Sequence, residues 1–382
     1  MAGSSFGKLF TITTWGESHG KGIGVVVDGC PAGLPLCEND IQVFLNRRKP
    51  GQSQFTTQRN ESDTVEILSG VFEGKTTGTP ISMVVWNENQ RSKDYSEIAS
   101  YYRPGHADFC FDSKYGFHDY RGGGRSSGRE TIGRVAAGAI AIKILKEMGI
   151  EFLTYSETIG PVSIDSSRFD VNEINNNKLY MPDAVAAAEA SLYLEKCMEE
   201  KNTAGGVISC TVTGLPVGLG EPVFDKIDAN LAKAMFSIGA VKGFEIGDGF
   251  KVAASTGLDN NDSFCICKDY CEDTLSSGTH TATSYNIHKA TNHSGGTLGG
   301  MTDGAPLTMR VAIKPTPSIA STQSTVNKDG EEIQIEIKGR HDPIIVPRAV
   351  VVVESMAAIT ILDALLENMK SKLTDIVEYY TQ

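Results

Sequence analysis

The chain is organised around the stretch Tyr120-Arg-Gly-Gly-Gly-Arg-Ser-Ser-Gly-Arg-Glu-Thr-Ile-Gly-Arg134, which we call the arginine loop. Its glycines at positions 122–124 allow backbone angles that a side chain would forbid, and they let amide N–H groups approach a ligand closely. Ser126 or Ser127 is a candidate N-cap for a helix that continues to Gly149. A glycine loop followed by a helix N-terminus is a typical anion site, and arginine side chains add planar donors that suit phosphate and carboxylate.

The alternative interpretation of the arginine loop is a solvated basic loop with its arginines on the surface. The residues that follow argue against it, because the helix that they predict is apolar on nearly every side and should be buried. A buried helix draws the side chains at its N-terminus inwards. We therefore expect four side chains of this loop to point towards the interior: Arg121, Arg125, Arg129 and Arg134.

Length and charge restrict the class of protein. The 382 residues suffice for one large domain or two moderate ones. The net charge of −12 argues against a nucleic-acid or anionic-membrane partner, whereas residues 103–134 alone carry about +2, a local field that suits a small anion. We see no apolar run near the roughly 18 residues that cross a bilayer, so no membrane association is expected.

The cysteines indicate a reducing compartment. Eight of them are scattered along the chain, and residues 1–10 lack a secretory apolar region, which favours free thiols in a cytoplasmic protein. Cys265, Cys267 and Cys271 lie close together, but a CxC pattern without a matched second pair is a weak zinc signal. We interpret these three as a structural thiol cluster and expect no metal.

Apolar runs and alternating patterns predict many strands and fewer helices. The predicted strands are 9–14, 23–27, 65–68, 81–86, 207–212, 250–254, 307–313 and 332–337. The predicted helices, besides the one after the arginine loop, are 40–48, 183–201, 226–236 and 352–370. A polar, Cys- and Thr-rich excursion at 259–292 is predicted to be irregular. This mixture favours an α+β layered sandwich over a doubly wound sheet.

The two halves of the chain contain a similar segment. Residues 23–34 and 208–219 match at Ile, Val, Gly, Pro, Gly and Leu with a constant offset of 185, and each is followed by a predicted helix. Chance similarity of turn residues is the alternative. We infer a duplicated strand–turn–helix unit near 22–46 and 207–236, and hence one pseudo-symmetric domain over residues 1–382.

Three further loops at predicted strand ends carry ionisable side chains. They are Gly16-Glu-Ser-His-Gly20, Arg103-Pro-Gly-His-Ala-Asp108 and Gly339-Arg-His-Asp-Pro343, named below the His19 loop, the His106 loop and the Asp342 loop. Histidine exchanges protons near neutral pH, so His19 and His106 are candidate acid–base residues. In the Asp342 loop, His341 and Asp342 compete for a role. The other histidines are predicted to be structural or on the surface: His118, His280, His288 and His293.

Other catalytic motifs do not fit. Residues 20–24 read Gly-Lys-Gly-Ile-Gly, like part of a dinucleotide fingerprint, but they precede a strand instead of linking a strand to a helix. The sequence contains no Walker A loop, no GxSxG elbow and no HExxH zinc motif.

Together and in this order, the four loops resemble those of the chorismate synthase family, and the resemblance extends from about residue 5 to residue 366. It implies a β-α-β sandwich that assembles as a homotetramer. It also implies a 1,4-elimination of phosphate from 5-enolpyruvylshikimate 3-phosphate to give chorismate, with reduced FMN as cofactor although nothing is oxidised overall. The flavin would be reduced outside this chain, with NADPH as a candidate reductant.

The resemblance also implies roles for individual residues. Arg48, Arg103 and Arg129 would bind substrate, His19 would protonate the leaving phosphate, and His106 would lie over the flavin. Asp342, through Ser18 or Ser127, would assist transfer of the substrate's C6 proton. The residues implied to hold FMN are Arg125, Ser126, Ser127, Gly239, Ala240, Gly299, Lys314, Pro315, Thr316, Pro317, Ser318 and Arg340.

The chain departs from the family pattern at three places. Gln54 stands where a second arginine is common, and Gly239 stands where asparagine is usual. The excursion at 262–289 is longer than expected. Two alternative functions stay open at this point: a flavin-independent phosphate-ester hydrolase and a non-catalytic anion-binding protein.

Overall fold

Two antiparallel sheets enclose a layer of helices in the computed structural model, which describes residues 3–56, 61–87, 97–266, 287–337 and 342–381. The first half of the chain contains β1 (Ser5–Phe6), β2 (Thr11–Gly16), β3 (Gly22–Asp28), β4 (Val65–Ile67), β5 (Val71–Phe72), β6 (Lys75–Thr76), β7 (Ile81–Trp86), α1 (Glu38–Arg48), α2 (Asp108–Tyr115) and α3 (Thr131–Lys146).

The second half of the chain adds eleven strands and six helices within the described ranges. The strands are β8 (Glu151–Ile159), β9 (Val162–Ser163), β10 (Gly206–Thr213), β11 (Val241–Ile246), β12 (Phe264–Ile266), β13 (Ile287–Lys289), β14 (Thr297–Leu298), β15 (Met301–Thr302), β16 (Leu307–Ile313), β17 (Gln323–Val326) and β18 (Glu332–Ile335). The helices are α4 (Glu173–Asn176), α5 (Ala184–Glu199), α6 (Ile227–Phe236), α7 (Gly257–Asn260), α8 (Val346–Asn368) and α9 (Leu373–Thr381).

The two large sheets have five strands each, and the middle strand of each belongs to the inferred repeat. Their strand orders are β1-β2-β3-β7-β4 and β11-β16-β10-β8-β9, and neighbouring strands are antiparallel throughout. The strands of the inferred repeat, β3 and β10, occupy the central position of each sheet, and α1 and α6 are the next helices of the sandwich after them. The predicted α+β class is confirmed, and this placement is what an internal duplication predicts.

Helices α3 and α8 fill the space between the sheets. α3 contacts β2, β3 and β7 of the first sheet, α8 contacts β8 and β10 of the second, and the two helices pack against each other. Eleven of the 16 residues of α3 are buried, so this helix is covered on nearly every side as predicted. At Gly138 the helices come so close that an added Cβ atom would lie 2.2 Å from Cβ of Ser355.

Helix α8 is longer than the sequence analysis predicted. It begins at Val346 instead of residue 352, and it is long and apolar enough to cross a membrane by length and composition alone. The statement that no apolar run approaches that length was therefore wrong. Most of the helix is buried inside the protein, as in the core helix of a globular fold. Its two buried acids are paired, Glu354 with Arg47 and Asp363 with the backbone N–H groups of residues 8–10.

Two local predictions were wrong, one about a strand and one about the start of a helix. The predicted strand 250–254 is a 3-10 helix, Gly249–Ala254, in which Phe250 is largely exposed. Helix α1 begins one turn earlier than predicted, with Cys37 as its N-cap, because Asp40 reaches back to the backbone N–H of Cys37 in a capping box.

The excursion at 259–292 is only partly irregular. β12 and β13 form an antiparallel stem, and Asp262 accepts hydrogen bonds from the backbone N–H groups of His293 and Ser294. Cys265 is an exposed free thiol on β12. The predicted thiol cluster cannot be placed, because Cys267 and Cys271 lie outside the described residues, as does His280.

We predict that Gly138→Ala destabilises the fold. In an ordinary helix interior the change stabilises by about 1 kcal/mol, but here the new methyl group meets α8, and overpacking costs about 1–3 kcal/mol. The measurement is urea unfolding at equilibrium. Gly257→Ala in α7 is the control, because no atom lies within 4 Å of the added Cβ. A Gly138→Ala protein as stable as the wild type would contradict this packing.

Candidate active site

The arginine loop packs directly on the His19 loop. Ser127 caps the 3-10 turn Gly128–Glu130 by accepting a hydrogen bond from the backbone N–H of Arg129. The N-cap of α3 itself is Glu130, so the prediction that Ser126 or Ser127 caps this helix was wrong. Gly122 has a φ of +146°, and a Cβ atom there would lie 2.4 Å from Nδ1 of His19. Only glycine allows this approach, so two of the four predicted loops are in contact.

The His19 loop is a closed turn. Oγ of Ser18, which is buried, lies 3.1 Å from Nδ1 of His19. The backbone N–H of Gly20 donates to the carbonyl of Glu17, and the side-chain amide of Asn87 donates to the carbonyl oxygens of both Glu17 and Gly20. The imidazole is therefore held by its Nδ1 atom on a turn with little freedom.

Two predicted substrate-binding arginines share one carboxylate. Asp63 accepts from Nη2 of Arg48 at 3.1 Å and from Nη1 of Arg129 at 3.0 Å. All three are buried, and Arg48 is only 1% exposed. Burial lowers the pKa of Arg48 from its usual value, and the nearby Asp63 carboxylate opposes that shift. Arg48 thus supports the site from behind and does not present a free face to it.

The Asp342 loop joins the same network through Arg348. Nη1 of Arg348 donates to Asp342 at 2.5 Å, and its Nε donates to the backbone carbonyl of Arg48 at 2.9 Å. His341 and Arg340 lie outside the described residues. The network therefore runs without a break from the His19 loop through Asn87, Arg129, Asp63, Arg48 and Arg348 to Asp342.

His106 belongs to a second cluster. Its Nδ1 lies 3.1 Å from the carbonyl oxygen of Pro104 and its Nε2 lies 2.8 Å from Oγ of Ser318. A carbonyl only accepts, so Nδ1 carries a hydrogen, whereas the hydroxyl of Ser318 can either donate to Nε2 or accept from it. His106 can therefore gain a proton at Nε2 without losing either hydrogen bond. Nζ of Lys314 donates to the carbonyl of Gly105 and fixes the loop from the other side.

Arg103 is turned towards its own loop. Its Nε and Nη2 both donate to Asp108 at 2.7 Å, and both residues are buried. Burial alone would raise the pKa of Asp108, but the hydrogen bonds from Arg103 outweigh it and lower that pKa. In this position the guanidinium of Arg103 stabilises the His106 loop.

Most residues implied to hold FMN lie together. A Cβ atom on Gly239 would lie 3.9 Å from the carbonyl of Ser126, with no nearer atom, so this position has room for the asparagine of the family pattern. The carbonyl of Ala240 accepts from the backbone N–H of Lys314. The rest of this group is Ser127 beside Ser126, and Pro315, Thr316, Pro317 and Ser318 after Lys314.

Gly299 is the residue that the fold separates from this group. It lies in the turn between β14 and β15, where Gly300 accepts from the first N–H of α6. Gly239 follows the other end of α6, and ten helical residues span about 15 Å. The structure therefore places Gly299 and Gly239 near opposite ends of α6.

The arginines of the loop have different environments. Arg125 donates to the carbonyl of Gly16 and to Thr14, and Arg134 donates to Glu130, so both point inwards as predicted. Arg121 pairs with Asp119 at the surface, so its predicted inward orientation was wrong. It precedes the buried helix by ten residues, too far for that helix to draw it inwards.

A cavity of about 1290 Å³ borders the arginine loop. Its lining includes Arg125 and Ser126 but not His19, His106 or Lys314. It extends from the arginine loop towards α2 and α6, so this cavity lies beside the two clusters and not between the histidines.

Sequence reasoning missed the residues that connect the loops, namely Asp63, Asn87 and Arg348. None of them belongs to a recognisable motif. The available signal was indirect: buried arginines require a carboxylate partner, and Asn87 follows the predicted strand 81–86 at its end.

The sequence model described as "Chorismate synthase" matches residues 10–366. The chain belongs to the chorismate synthase family. A chorismate synthase from Agathobacter rectalis is 71% identical over 380 residues, which cover 100% of this chain and 99% of that protein. One from Lachnospira eligens is 61% identical over 380 residues and is covered completely, as is this chain.

A solved structure described as "Crystal Structure of Chorismate Synthase" agrees with this fold. It superposes with a TM-score of 0.74 at 31% identity and covers 98% of this chain and 97% of that chain. The family and the α+β fold predicted from the four loops are confirmed. Membership in the chorismate synthase family identifies the chain as a biosynthetic enzyme of the lyase class.

We predict that Asp63→Asn destabilises the protein by about 3–5 kcal/mol, because it leaves buried arginine charge without a counter-charge. Asparagine tolerates the positive φ of this position, so the backbone is unchanged. Urea unfolding measures the effect, with Asp329→Asn as an exposed control expected to change stability by less than about 0.5 kcal/mol. Equal stability of the two variants would show that Asp63 is not the shared partner.

Proposed function

We propose that the chain is an FMN-dependent lyase of the shikimate pathway that converts 5-enolpyruvylshikimate 3-phosphate into chorismate by 1,4-elimination of phosphate. Membership in the chorismate synthase family supports chorismate formation. The proposed substrate, elimination and FMN requirement are supported chiefly by the unbroken hydrogen-bond network that links the His19 loop, Arg129 and Asp342. A phosphate-ester hydrolase can use the same three groups, so the flavin requirement in the assay below is what distinguishes the two activities.

The substrate carries two carboxylates and a phosphate, and the site offers donors for them. The guanidinium of Arg129 has five N–H groups, and among the described residues Asp63 and Asn87 bind three of them, so we assign the other two to a ligand. Lys314 uses one of its three N–H donors on Gly105. Charge-assisted hydrogen bonds of this kind contribute roughly 1.5–3 kcal/mol each when sheltered from water.

Departure of the phosphate requires a proton donor and positive charge. We assign the donor to His19, whose ring is oriented by Ser18 at Nδ1. Arg48 and Arg348 lie behind Arg129 and maintain positive charge where the phosphate charge develops. Arg48 thereby acts through its electrostatic field and not by contact with the substrate, which refines the substrate-binding role that the resemblance implies.

Removal of the C6 proton requires an acceptor. We assign to Asp342, with Ser18 or Ser127 as the relay, the role of assisting this transfer, while the bound flavin would supply the acceptor. Arg348 holds the carboxylate at 2.5 Å and keeps it oriented towards the network.

The chain has groups that suit a flavin phosphate. Oγ1 of Thr316 is buried and has no hydrogen-bond partner among the described residues, and it lies between the cationic Lys314 and the hydroxyl of Ser318. A buried hydroxyl of this kind costs about 1–3 kcal/mol until a ligand satisfies it. Reduced FMN would lend electron density to the breaking C–O bond, which no side chain can do. His106, which can hold a proton at Nε2, would set the charge beside the flavin.

The proposal includes a cytoplasmic homotetramer that receives reduced FMN from outside, with NADPH as a candidate reductant. No nucleic-acid or membrane partner is proposed.

The first test is an anaerobic assay of the purified protein with 5-enolpyruvylshikimate 3-phosphate and dithionite-reduced FMN. We expect equal amounts of chorismate and phosphate, and neither product with oxidised FMN. Phosphate without chorismate, at the same rate in the absence of flavin, would identify a hydrolase. Substrate binding without either product would identify a non-catalytic anion-binding protein.

A second test replaces the histidine of the second cluster. His106→Ala should lower kcat by about 10²–10⁴-fold while the Kd of the substrate stays close to that of the wild type, because the change removes a proton-holding group and not an anion contact. His288→Ala, on the exposed strand β13, is the control and should leave both constants unchanged. An unchanged kcat in the His106→Ala protein would remove His106 from the catalytic set.

A further inference from the structure

Asn87 follows β7 at the point where the His19 loop meets Arg129. Its Nδ2 donates to the backbone carbonyl of Glu17 at 3.1 Å and to that of Gly20 at 2.9 Å. Its Oδ1 accepts from Nε of Arg129 at 3.1 Å and from Nη2 at 2.8 Å. One side-chain amide therefore holds both the turn that carries His19 and one edge of the guanidinium of Arg129.

The amide of Asn87 can adopt only this orientation. Carbonyl oxygens only accept and a guanidinium only donates, so a flipped amide would place donors against donors and acceptors against acceptors. The backbone is equally constrained, because the N–H of Asn87 donates to the carbonyl of Lys21 and the adjacent residues Gly22 and Trp86 are paired between β3 and β7. The first sheet thus fixes the position from which the amide acts.

A different nitrogen of Arg129, Nη1, is held independently by Asp63. Held at both places, the guanidinium has one orientation, and the amide of Asn87 bonds it directly to the turn that carries His19.

We propose that Asn87 is a positioning residue that sets the distance between the proton donor His19 and the anion-binding face of Arg129. This inference rests on the proposed function, in which Arg129 binds the substrate and His19 protonates its departing phosphate. A displacement of about 1 Å between such groups lowers the rate by about 10²-fold, even when the substrate still binds.

Two substitutions separate the two halves of the amide. Asn87→Asp keeps acceptors for Arg129 but loses both donors and repels the carbonyls of Glu17 and Gly20. Asn87→Ala removes the donors and the acceptor together. Asn176→Ala is the control, because this side chain is exposed and forms one long hydrogen bond to Glu173.

The experiment measures kcat with reduced FMN, the Kd of 5-enolpyruvylshikimate 3-phosphate by calorimetry without flavin, and urea unfolding. For Asn87→Asp we expect kcat to fall by about 10²-fold and the Kd to weaken, because the new carboxylate lies against Arg129 and repels the anionic substrate. For Asn87→Ala we expect a similar fall in kcat and a Kd about tenfold weaker, because Arg129 has lost one of its anchors. The Asn176→Ala protein should match the wild type.

If Asn87 has only a structural role, a different pattern is expected. Both Asn87 variants would then lose activity only in proportion to their unfolded fraction, and both would bind the substrate with the same Kd. That pattern, or a wild-type kcat in the Asn87→Asp protein, would overturn the inference while leaving the proposed function intact. Absence of chorismate from the wild-type protein in the same assay would overturn both.

Discussion

The structure depends on the buried carboxylate of Asp63. Removing an ion from water costs several kcal/mol, and two neighbouring guanidinium groups would not stay in the interior without a counter-charge. Asp63 accepts from Arg48 and Arg129 with its two oxygens, and Oδ2 of Asp342 accepts from Arg348. Three arginines and two aspartates leave one positive charge in this network, and Nε of Arg48 has no partner among the described residues. The interior is therefore incompletely neutralised, as an anion-binding site requires.

The fold places this network where elements from both halves of the chain converge. The arginine loop leads into α3, which packs on the first sheet, while the Lys314 segment follows β16 of the second sheet. The two clusters meet where Ser126 faces Gly239, at the boundary between the layers. Because regular elements on both sides are closely packed, the loops are held by rigid supports, which suits a reaction that requires several groups to act at one place.

The features that could be predicted from the sequence are those with a local pattern or a motif. The four loops, the strands around them, the buried helix after the arginine loop and the family could be predicted because each has a periodic or glycine-rich signature. Asp63, Asn87 and Arg348 could not, because they act as partners across long sequence separations and belong to no motif. The orientation of Arg121 was predicted wrongly for a related reason, because the distance between a loop residue and the helix that follows it is not visible in a motif.

The position of α8 in the chain has a consequence for biosynthesis. This helix is strongly apolar, yet it follows every strand of both large sheets in the chain. Both sheets therefore leave the ribosome before the helix that separates them, and their inner faces stay uncovered until α8 has been synthesised. The nascent chain exposes apolar surface during that interval, which makes it a natural client for chaperones that shield such surface.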